Sequence, residues 1–445
     1  MKVIIIGSGV AGLFAADVLL SAGAEVVMLE RGQAMGRRVC PPGPACECRV
    51  CDVLIGEGGA GSWSDGKITL SANRGTHTRE LFTPEQGELL GIVDDRLRRF
   101  VSAAVDYPPA PAPDTTGTGL RFESYPLLHV GSDGVRKFGA DYSRHLQERG
   151  LDLRTATTAT ALLTTGARVT GVAANSRRDK AETVLEADAV IAASGMAGTP
   201  WLEAELTRLG VPLDTGPADI GIRLETSAAA LDPFIGAFYD FKAHHTFGGL
   251  DLRSFCVNGR GYIITEYHQD LGIRGVNGHS FLDRQSEQSN LAIVATIQPE
   301  DVPDPKAFVR AAAGGVNDGG AGYPVRQLLA DFLGPDLVGP ANGVTASNPK
   351  SVLGPLRELL PEPLGNAFAS YILSLGKAMP PVLGEDTVLY GPEIKYYNRV
   401  VPIDLETWAS TDLDGLYVVG NAAGRTASLS AAALSGIIAG RALTA

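Results

Sequence analysis

Runs of apolar residues with helical or strand-like spacing divide the start of the chain into elements. Lys2–Ile6 and Glu25–Leu29 are short aliphatic and β-branched runs, typical of strands buried on both faces of a parallel sheet. Between them, Leu13–Ala22 places its apolar residues at helical spacing. The pattern predicts a strand–helix–strand unit.

Alternation with a period of two follows further along. Leu151–Leu163, Val169–Asn175 and Thr183–Leu185 alternate as the strands of an antiparallel meander do. Ala189–Gly195 is predicted to be a buried strand that ends in small residues. Other predicted elements are strands at 125–130 and 415–419 and helices at 85–104, 137–149 and 428–445.

The turn after the first predicted strand has the glycine pattern G-x-G-x-x-G. Gly7 permits a tight turn, Gly9 lets the backbone approach a pyrophosphate, and Gly12 lets helix and strand pack closely. Glu30, which ends the second strand, can accept hydrogen bonds from an adenosine ribose, so FAD or NAD(H) fits better than NADP(H). The residues predicted to hold the phosphates are Gly7, Ser8, Gly9, Val10, Ala11 and Gly12.

Longer strands, turns and aromatic residues predominate between residues 211 and 380, with helices predicted at 305–313, 325–332 and 355–375. A chain of 445 residues is too long for one compact core. We therefore predict an α/β protein. A Rossmann-like domain with a parallel sheet and a β-meander would span residues 1–210 and 381–445, and a sheet-rich substrate domain would span 211–380.

Two loops are further candidates for cofactor contacts. Arg31, Arg37 and Arg38 follow the ribose acid, where they could neutralise the pyrophosphate or be solvated surface arginines. The glycine-rich stretch 56–71 indicates a backbone that runs against a flat or charged ligand, although such stretches are also found in flexible turns. Its candidate cofactor residues are Gly59, Ala60, Gly61, Ser64, Asp65, Gly66 and Lys67.

Four of the five cysteines lie in one proline-rich loop, at Cys40, Cys46, Cys48 and Cys51. Their spacing is compatible with a tetrahedral zinc site, an iron–sulfur cluster or a dithiol/disulfide relay. They could also be reduced surface thiols without a role. The sequence leaves these alternatives open.

The composition narrows the function classes. A net charge of −12 disfavours nonspecific binding to nucleic acid or to an anionic membrane. Apolar runs stay shorter than the ~18–20 residues that a membrane span needs. Because the first strand begins at Lys2 without a basic segment and cleavage site, we expect a cytoplasmic protein with reduced thiols.

The chain resembles the glutathione-reductase-like FAD superfamily, which includes the geranylgeranyl reductase, fumarate reductase flavoprotein and aromatic hydroxylase types. The motifs behind this resemblance are Gly7–Gly12, Glu30, Ala193-Ser194-Gly195 and Val419-Gly420-Asn421. The chain is more closely similar to a family of largely uncharacterised FAD-dependent dehydrogenases. That similarity is carried by residues 58–67, 253–256, 276–280 and 391–395.

The resemblance implies FAD as cofactor and a role for individual residues. Glu30 would hold the ribose, the backbone of Ala159 would bind adenine, and residues 59–67 would line the pyrophosphate and flavin. Ser428 and Leu429 would present N–H groups to the flavin pyrimidine edge. Asn421 stands where the superfamily usually has Asp, so this contact would be weaker. Ala193, Ser194, Gly195 and Gly420 complete the cofactor set.

A second strand–G-x-G-x-x-G–helix unit is absent from the sequence, which argues against a nicotinamide domain. Electrons would then pass to or from transient NAD(P)H, the substrate or dioxygen. The candidates for proton transfer beside the flavin are His279, Glu266, Cys256 and Tyr262.

We therefore predict an FAD-dependent oxidoreductase acting on a small organic molecule at a C–C or C–N bond. The alternatives are a thiol-coupled flavoenzyme that uses the Cys40–Cys51 cluster and a non-catalytic FAD-binding protein. The sequence leaves the substrate and the oligomeric state open.

Overall fold

The structure is a computed structural model that describes residues 1–445 except positions 42, 44, 45, 47, 49, 77, 79, 112, 178–181 and 397. Among the described residues, the α-helices are α1 (Val10–Ser21), α2 (Pro84–Gly87), α3 (Leu90–Phe100), α4 (Gly131–Glu148), α5 (Thr199–Arg208), α6 (Ala228–Phe238), α7 (Pro305–Gly319), α8 (Leu329–Leu333), α9 (Leu356–Leu359), α10 (Glu362–Ala378) and α11 (Leu429–Thr444).

The strands of the described residues form several sheets. They are β1 (Lys2–Ile6), β2 (Glu25–Glu30), β3 (Lys67–Thr69), β4 (Val105–Tyr107), β5 (Arg121–Glu123), β6 (Leu127–His129), β7 (Asp152–Thr155), β8 (Thr157–Thr165), β9 (Arg168–Ser176), β10 (Glu182–Glu186), β11 (Ala189–Ala192), β12 (Ala218–Ser227), β13 (Lys242–Phe247), β14 (Leu250–Asn258), β15 (Tyr262–His268), β16 (Ile273–His279), β17 (Gln288–Ile297), β18 (Val325–Leu328), β19 (Val352–Leu353), β20 (Val388–Tyr396) and β21 (Leu416–Val418).

The first sheet is parallel and has the order β21-β11-β1-β2-β7. Ile4 and Ile5 in its central strand are fully buried, which explains the uninterrupted apolar run. The antiparallel meander β8–β10 packs against β2 and β11. Helices α1 and α11 lie closely together because Gly436 leaves no room for a side chain: a Cβ there would be 2.1 Å from the Ala11 carbonyl oxygen. The predicted parallel sheet with a meander is confirmed.

The second large sheet is mixed and has the order β19-β18-β20-β12-β17-β14-β13-β5. All its neighbouring strands are antiparallel except β18 and β19. Its core contains residues of α6, α7 and α10. The hairpin β15–β16 stands beside this sheet, and β3, β4 and β6 form a small sheet between the two layers of the chain.

The sheet topology moves one of the predicted domain boundaries. Residues 381–396 were expected to belong with the first sheet, but β20 lies between β18 and β12 inside the second sheet. The chain rejoins the first sheet only at β21. Periodicity identifies β20 as a strand but does not specify its neighbours, because pairing joins residues far apart in sequence.

Three predicted helices differ from the structure. The 85–104 segment is two helices, α2 and α3, and the 325–332 segment is β18 followed by α8. The 355–375 segment is divided into α9 and α10 at Leu360-Pro361, where proline provides no N–H to continue a helix. None of the described helices combines the length and the apolarity needed to cross a bilayer.

Candidate cofactor and reaction site

A glycine turn at the carboxyl end of β1 opens the first candidate site. Gly7 has a φ of +105°, and a Cβ on it would lie 2.3 Å from the carbonyl oxygen of Ala193. A Cβ on Gly12 would lie 2.2 Å from the carbonyl oxygen of Gly7. The packing of β1 against β11 and α1 therefore requires both glycines by itself.

Gly9 is different, because the protein's own packing does not need a glycine there. Its φ is −72°, and an added Cβ would meet Gly59 Cα at 3.8 Å, an ordinary contact. Gly9 directly precedes α1, and no side chain caps the first turn of that helix. Room above the backbone and an uncapped helix N-terminus fit a pyrophosphate bound at this turn.

Glu30 stands at the end of β2, beside the same turn. One carboxylate oxygen accepts hydrogen bonds from the Ser8 N–H at 3.1 Å and the Ser8 Oγ at 2.8 Å, and the other accepts one from the Gly32 N–H at 2.7 Å. The residue is 5% exposed. Nearby, Ala156 donates its N–H to the Gly32 carbonyl, which holds the residue before β8 beside the loop that follows Glu30. Ala159 lies further along β8 and is buried.

Three buried side-chain oxygens at the carboxyl edge of this sheet have no hydrogen-bond partner among the described residues: Ser194 Oγ, Asn398 Oδ1 and Thr426 Oγ1. Ser194 follows β11, and Thr426 lies between β21 and α11. Asn398 donates through Nδ2 to Asn421, whose own Nδ2 donates to the Thr426 carbonyl. An unsatisfied buried oxygen costs about 1–3 kcal/mol, so a polar ligand along this edge accounts for all three.

The N-terminus of α11 closes this edge. Ser428 caps the helix by accepting the Ala431 N–H at 3.1 Å. Leu429 packs against the glycine-rich loop, because a Cβ on Gly61 would lie 2.4 Å from Leu429 Cδ2. Gly420 is tied to α11 through its N–H, which donates to Ser435 Oγ. Residues that the sequence predicts for the flavin end therefore lie close together.

Arg31 follows Glu30, at the end of the site where the sequence predicts the adenosine. Its guanidinium donates to the Ala197 carbonyl at 2.5 Å, which bridges the ends of β2 and β11. Arg31 also lines a cleft of about 250 Å³ with Met196, Tyr267 and Asp270. Arg37 is exposed in a short turn.

Arg38 has a different role from the predicted one. Its buried guanidinium donates to carbonyl oxygens of the 52–59 loop rather than facing the Gly9 turn. The acceptors are the carbonyl oxygens of Asp52, Val53, Gly56, Glu57 and Gly59. Burial lowers the pKa of Arg38 to about 10, which still leaves it charged at neutral pH. Arg38 therefore shapes the loop that contacts Gly9.

Lys67 belongs to a buried ionic cluster. Its Nζ lies 2.9 Å from Asp65 Oδ2 and 3.6 Å from Asp240 Oδ1, and it donates to the Val257 carbonyl at 2.7 Å. Burial opposes the charge of Lys67, but Asp240 and Asp65 raise its pKa above the ordinary value. Ser64 Oγ donates to the Gly61 carbonyl within the loop. These polar side chains therefore join the loop to β14 instead of standing free for a phosphate.

A second buried ion pair lies in the interior of the large sheet. Arg223 and Glu393 are both fully buried and meet at 2.9 Å across β12 and β20. Arg223 also donates to the side-chain oxygens of Asn258 and Asn290 and to the carbonyl of Cys256. Asn258 in turn donates to Asp65 at 3.2 Å, so the two ionic clusters are connected.

His279 is 3% exposed and holds the glycine-rich loop at Trp63. Burial lowers the pKa of His279 to about 4, so the ring is neutral at neutral pH. Because Nε2 lies 2.6 Å from the Trp63 carbonyl oxygen, which only accepts, Nε2 must bear the proton. Nδ1 is then the basic atom of the ring.

At neutral pH the side chain of Glu266 is negatively charged and that of Cys256 is neutral. Burial alone would raise the pKa of Glu266, but Lys395 and His268 lower it, and Asn277 donates to it at 3.0 Å. Glu266 is therefore a fixed negative charge and not a proton donor at neutral pH. Burial raises the pKa of the Cys256 thiol to about 11, so this side chain keeps its proton.

The described residues of the loop that carries the four cysteines do not form a metal centre. Among the described residues, no three His, Cys, Asp or Glu side chains are placed to hold a metal ion. Cys40 is exposed, Cys46 and Cys51 are buried, and all are free thiols, as are Cys48 and Cys256. Zinc stays a prediction without support from this geometry.

Sequence reasoning missed several members of the buried clusters: Asp240, Asn258, Asn290, Glu393, Lys395 and Asn398. The signal that could have found some of them is a charged residue in an apolar strand. Glu393, for example, precedes a buried Ile394 in β20. Its partner Arg223 is 170 positions away, beyond the reach of a local pattern.

Two family models match the chain. The model described as "FAD binding domain" matches residues 1–54, and the one described as "FAD-dependent protein, C-terminal domain-like" matches residues 227–396. The protein is an FAD-dependent enzyme. The first match contains the Gly9 turn and Glu30, and the second ends with β20, where the large sheet also ends in the chain. The FAD-dependent oxidoreductase class is thereby supported, while NAD(P)H stays a prediction.

The flavoenzyme is also similar to individual proteins. An uncharacterized protein of Clostridium beijerinckii is 24% identical, over 98% of this chain and 79% of its own. A geranylgeranyl bacteriochlorophyll reductase-like structure from Thermoplasma acidophilum has a TM-score of 0.45 at 12% identity, covering 99% of this chain and 77% of that one. A flavoprotein/dehydrogenase structure from Cytophaga hutchinsonii has a TM-score of 0.43 at 11% identity, covering 100% and 78%.

Proposed function

We propose that the enzyme transfers a hydride pair between FAD and a C–C or C–N bond of a small organic substrate. The observation that carries this proposal is the turn at Gly9, where the protein's own packing does not require a glycine and where the chain matches an FAD-binding family. FAD, when bound, supplies the hydride acceptor or donor. The protein must then position the substrate and move a proton.

His279 and Cys256 are suited to opposite proton transfers. The neutral ring of His279 has a free Nδ1 that accepts a proton when the substrate is oxidised. Cys256 keeps its proton at neutral pH and can donate it from Sγ when the substrate is reduced. Glu266, paired with Lys395, supplies a fixed negative charge to the same layer.

The proposal also covers the superfamily of the enzyme, its location in the cell and its partners. The G-x-G-x-x-G turn, Glu30 and the returning strand β21 support placement in the glutathione-reductase-like superfamily. We also propose that the enzyme has no nucleic-acid or membrane partner, on the basis of the net charge of −12. A cytoplasmic location and a small-molecule substrate complete the proposal. Transient NAD(P)H or dioxygen would complete the electron balance.

The test is anaerobic stopped-flow reduction of the purified enzyme. A panel of small amines, acids and alkenes is mixed with oxidised or dithionite-reduced enzyme, and the visible flavin band is followed. With an active substrate, His279→Gln should slow flavin reduction about 10²–10⁴-fold while the resting flavin spectrum stays unchanged. His245→Gln on β13 is the matched control and should react at the wild-type rate.

An unchanged rate in His279→Gln would remove this residue from proton transfer. Flavin that no member of the panel reduces or reoxidises would contradict hydride transfer to these substrate classes. Incorporation of oxygen into a product would instead identify the enzyme as a monooxygenase.

A further inference from the structure

Trp63 connects His279 to a second group of polar side chains. Its carbonyl oxygen lies 2.6 Å from Nε2 of His279, and the guanidinium of Arg136 lies over its indole ring, 3.8 Å from the ring centroid. Trp63 is 7% exposed, and Arg136 is half-buried. The surroundings of His279 therefore contain a cation that the proposed proton transfer does not use.

The ring of Phe281 brings the same groups together from the other side. The His279 ring meets it edge to face, with the ring centroids 5.7 Å apart. The guanidinium of Arg136 lies 5.7 Å from the Phe281 centroid, and that of Arg284 lies 3.9 Å from it. We call Trp63, Arg136, Phe281 and Arg284 the arginine site. Because Arg284 is exposed and Arg136 is half-buried, the arginine site reaches the surface.

Two hydrogen-bond donors of the arginine site have no acceptor. Arg136 Nε and Trp63 Nε1 are both buried, and neither has a hydrogen-bond partner among the described residues. A buried donor without an acceptor is destabilising, and folded proteins seldom contain two of them in contact. An acceptor that a ligand brings to the arginine site accounts for both.

The nearby carboxylates do not supply this acceptor. Asp133 and Asp283 favour the charge of Arg136 from a distance, but neither is within ion-pair distance of it in the described part of the chain. Asp133 Oδ1 instead accepts the Leu282 N–H at 2.9 Å. Burial opposes the charge of Arg136 and Arg284 repels it, and both effects lower the pKa of Arg136. An anion at the arginine site would stabilise that charge.

A carboxylate fits these donors better than a phosphate does. Nε and a terminal nitrogen of Arg136 form a planar fork that the two oxygens of a carboxylate accept side by side. One of these oxygens has a further lone pair for the N–H of Trp63. The single negative charge of a carboxylate balances the one half-buried guanidinium, whereas Arg284 is exposed to water. A phosphate brings more charge and more oxygens than the two buried donors can satisfy.

We propose that the substrate of the enzyme bears a carboxylate, which Arg136 and the Trp63 indole N–H bind beside His279. Arg284 attracts the anion at the surface. The inference rests on the proposed function, since it takes His279 to stand beside the bond that is oxidised or reduced. Fixing the carboxylate restricts the substrate to poses in which its reacting bond lies near His279.

The first test is isothermal titration calorimetry of the FAD-loaded enzyme with organic acids, each paired with its uncharged amide. The acids are acetate, benzoate, phenylacetate, cinnamate and succinate. At least one acid should bind, and its amide should bind at least about tenfold more weakly because the charge-assisted hydrogen bonds are lost. Equal affinities for acid and amide, or no binding by any acid, would overturn the proposal. Tighter binding of phenyl phosphate than of every acid would overturn the choice of a carboxylate.

The second test repeats the titration with variants. Arg136→Met should weaken binding of the acid at least about tenfold and affect its amide much less. Trp63→Phe keeps a ring for Arg136 to stack on but removes the N–H, so it should weaken binding of the acid several-fold. This variant keeps the test decisive if Arg136→Met does not fold. Arg144→Met, at an exposed arginine of the same helix α4, is the matched control and should bind as the wild type does. Wild-type affinity in Arg136→Met or in Trp63→Phe would overturn the role of the residue concerned.

Stopped-flow reduction separates this inference from the proposed function. With an acid that reduces the flavin, Arg136→Met should raise the substrate concentration for half-maximal rate about tenfold and change the maximal rate less, whereas His279→Gln should lower the maximal rate. Binding that depends on Arg136 without flavin reduction would support the arginine site and contradict hydride transfer. Reduction of the flavin by an acid that depends on His279 but not on Arg136 would overturn the arginine site and leave the proposed function in place.

Discussion

At the scale of single residues, the glycines of the amino-terminal turn separate into two kinds. Gly7 and Gly12 are needed by the protein itself, because a Cβ on either would lie closer than 2.5 Å to a carbonyl oxygen of a neighbouring element. Gly9 makes no such contact, and its φ of −72° is available to any residue. Its small size is therefore explained by a ligand and not by the fold.

Substitution by alanine should therefore weaken FAD binding at Gly9 and lower the stability of the fold at Gly12. Gly9→Ala should unfold at nearly the wild-type temperature but bind FAD at least about tenfold more weakly, because the added methyl group stands where a phosphate approaches the backbone. Gly12→Ala should lower the free energy of unfolding by about 1–3 kcal/mol through overpacking. Titration of apoprotein with FAD and thermal unfolding by circular dichroism measure the two effects. Wild-type FAD affinity in Gly9→Ala would place the pyrophosphate elsewhere.

At the scale of elements, the loop between Asp52 and Gly59 contacts the Gly9 turn although it contains no helix or strand. Arg38 replaces regular backbone pairing there, since one guanidinium satisfies five carbonyl oxygens. The loop then reaches Gly9, and a Cβ on Gly59 would lie 2.7 Å from Gly9 Cα. One buried arginine thus determines the shape of the cradle.

Loss of this guanidinium should release the loop. We expect Arg38→Met to be cut faster by chymotrypsin after Leu54, within residues 52–59, and to bind FAD more weakly. Arg38→Lys should restore little, because a single ammonium does not span the carbonyl oxygens that the planar fork contacts. The exposed neighbour provides the control: Arg37→Met should match the wild type in limited proteolysis and in FAD titration. If Arg38→Met also matched the wild type, the loop would be held by other contacts.

At the scale of the whole molecule, buried charge is concentrated where the two large sheets face the glycine-rich loop. Lys67, Asp65 and Asp240 form one cluster, and Arg223 with Glu393 forms another. Such pairs add little net stability over apolar packing, but removal of one partner is costly. The arrangement fixes the relative placement of β3, β12, β14 and β20 around the proposed reaction site.

Buried neutral histidines in this region make the stability of the whole protein depend on pH. Burial lowers the pKa of His279 and of His129 from an ordinary 6.5 to about 4. The unfolded chain therefore binds more protons between these values, and the stability that is complete above pH 6.5 is lost as the pH falls toward 4. Burial raises the pKa of Glu225 and Asp270, which acts with the opposite sign.

We expect the free energy of unfolding in urea to fall by about 2 kcal/mol for each of these histidines between about pH 7 and about pH 5. His279→Gln should remove its share of that fall, since glutamine can still donate to the Trp63 carbonyl without titrating. The measurement is the difference between the two pH values in wild type and variant. The same pH dependence in both would show that His279 is not the titrating group.

The sequence alone determined the strand–glycine turn–helix unit, the acid at Glu30, the meander and the dinucleotide chemistry, because each depends on residues within about thirty positions of one another. Only the tertiary structure decided that β20 belongs to the second sheet, that Arg38 holds a loop instead of a phosphate, and that Arg223 meets Glu393. Strand pairing and the pairing of buried charges join distant parts of the chain. A local pattern shows that such a residue is present, but its partner is chosen by the packing of the complete fold.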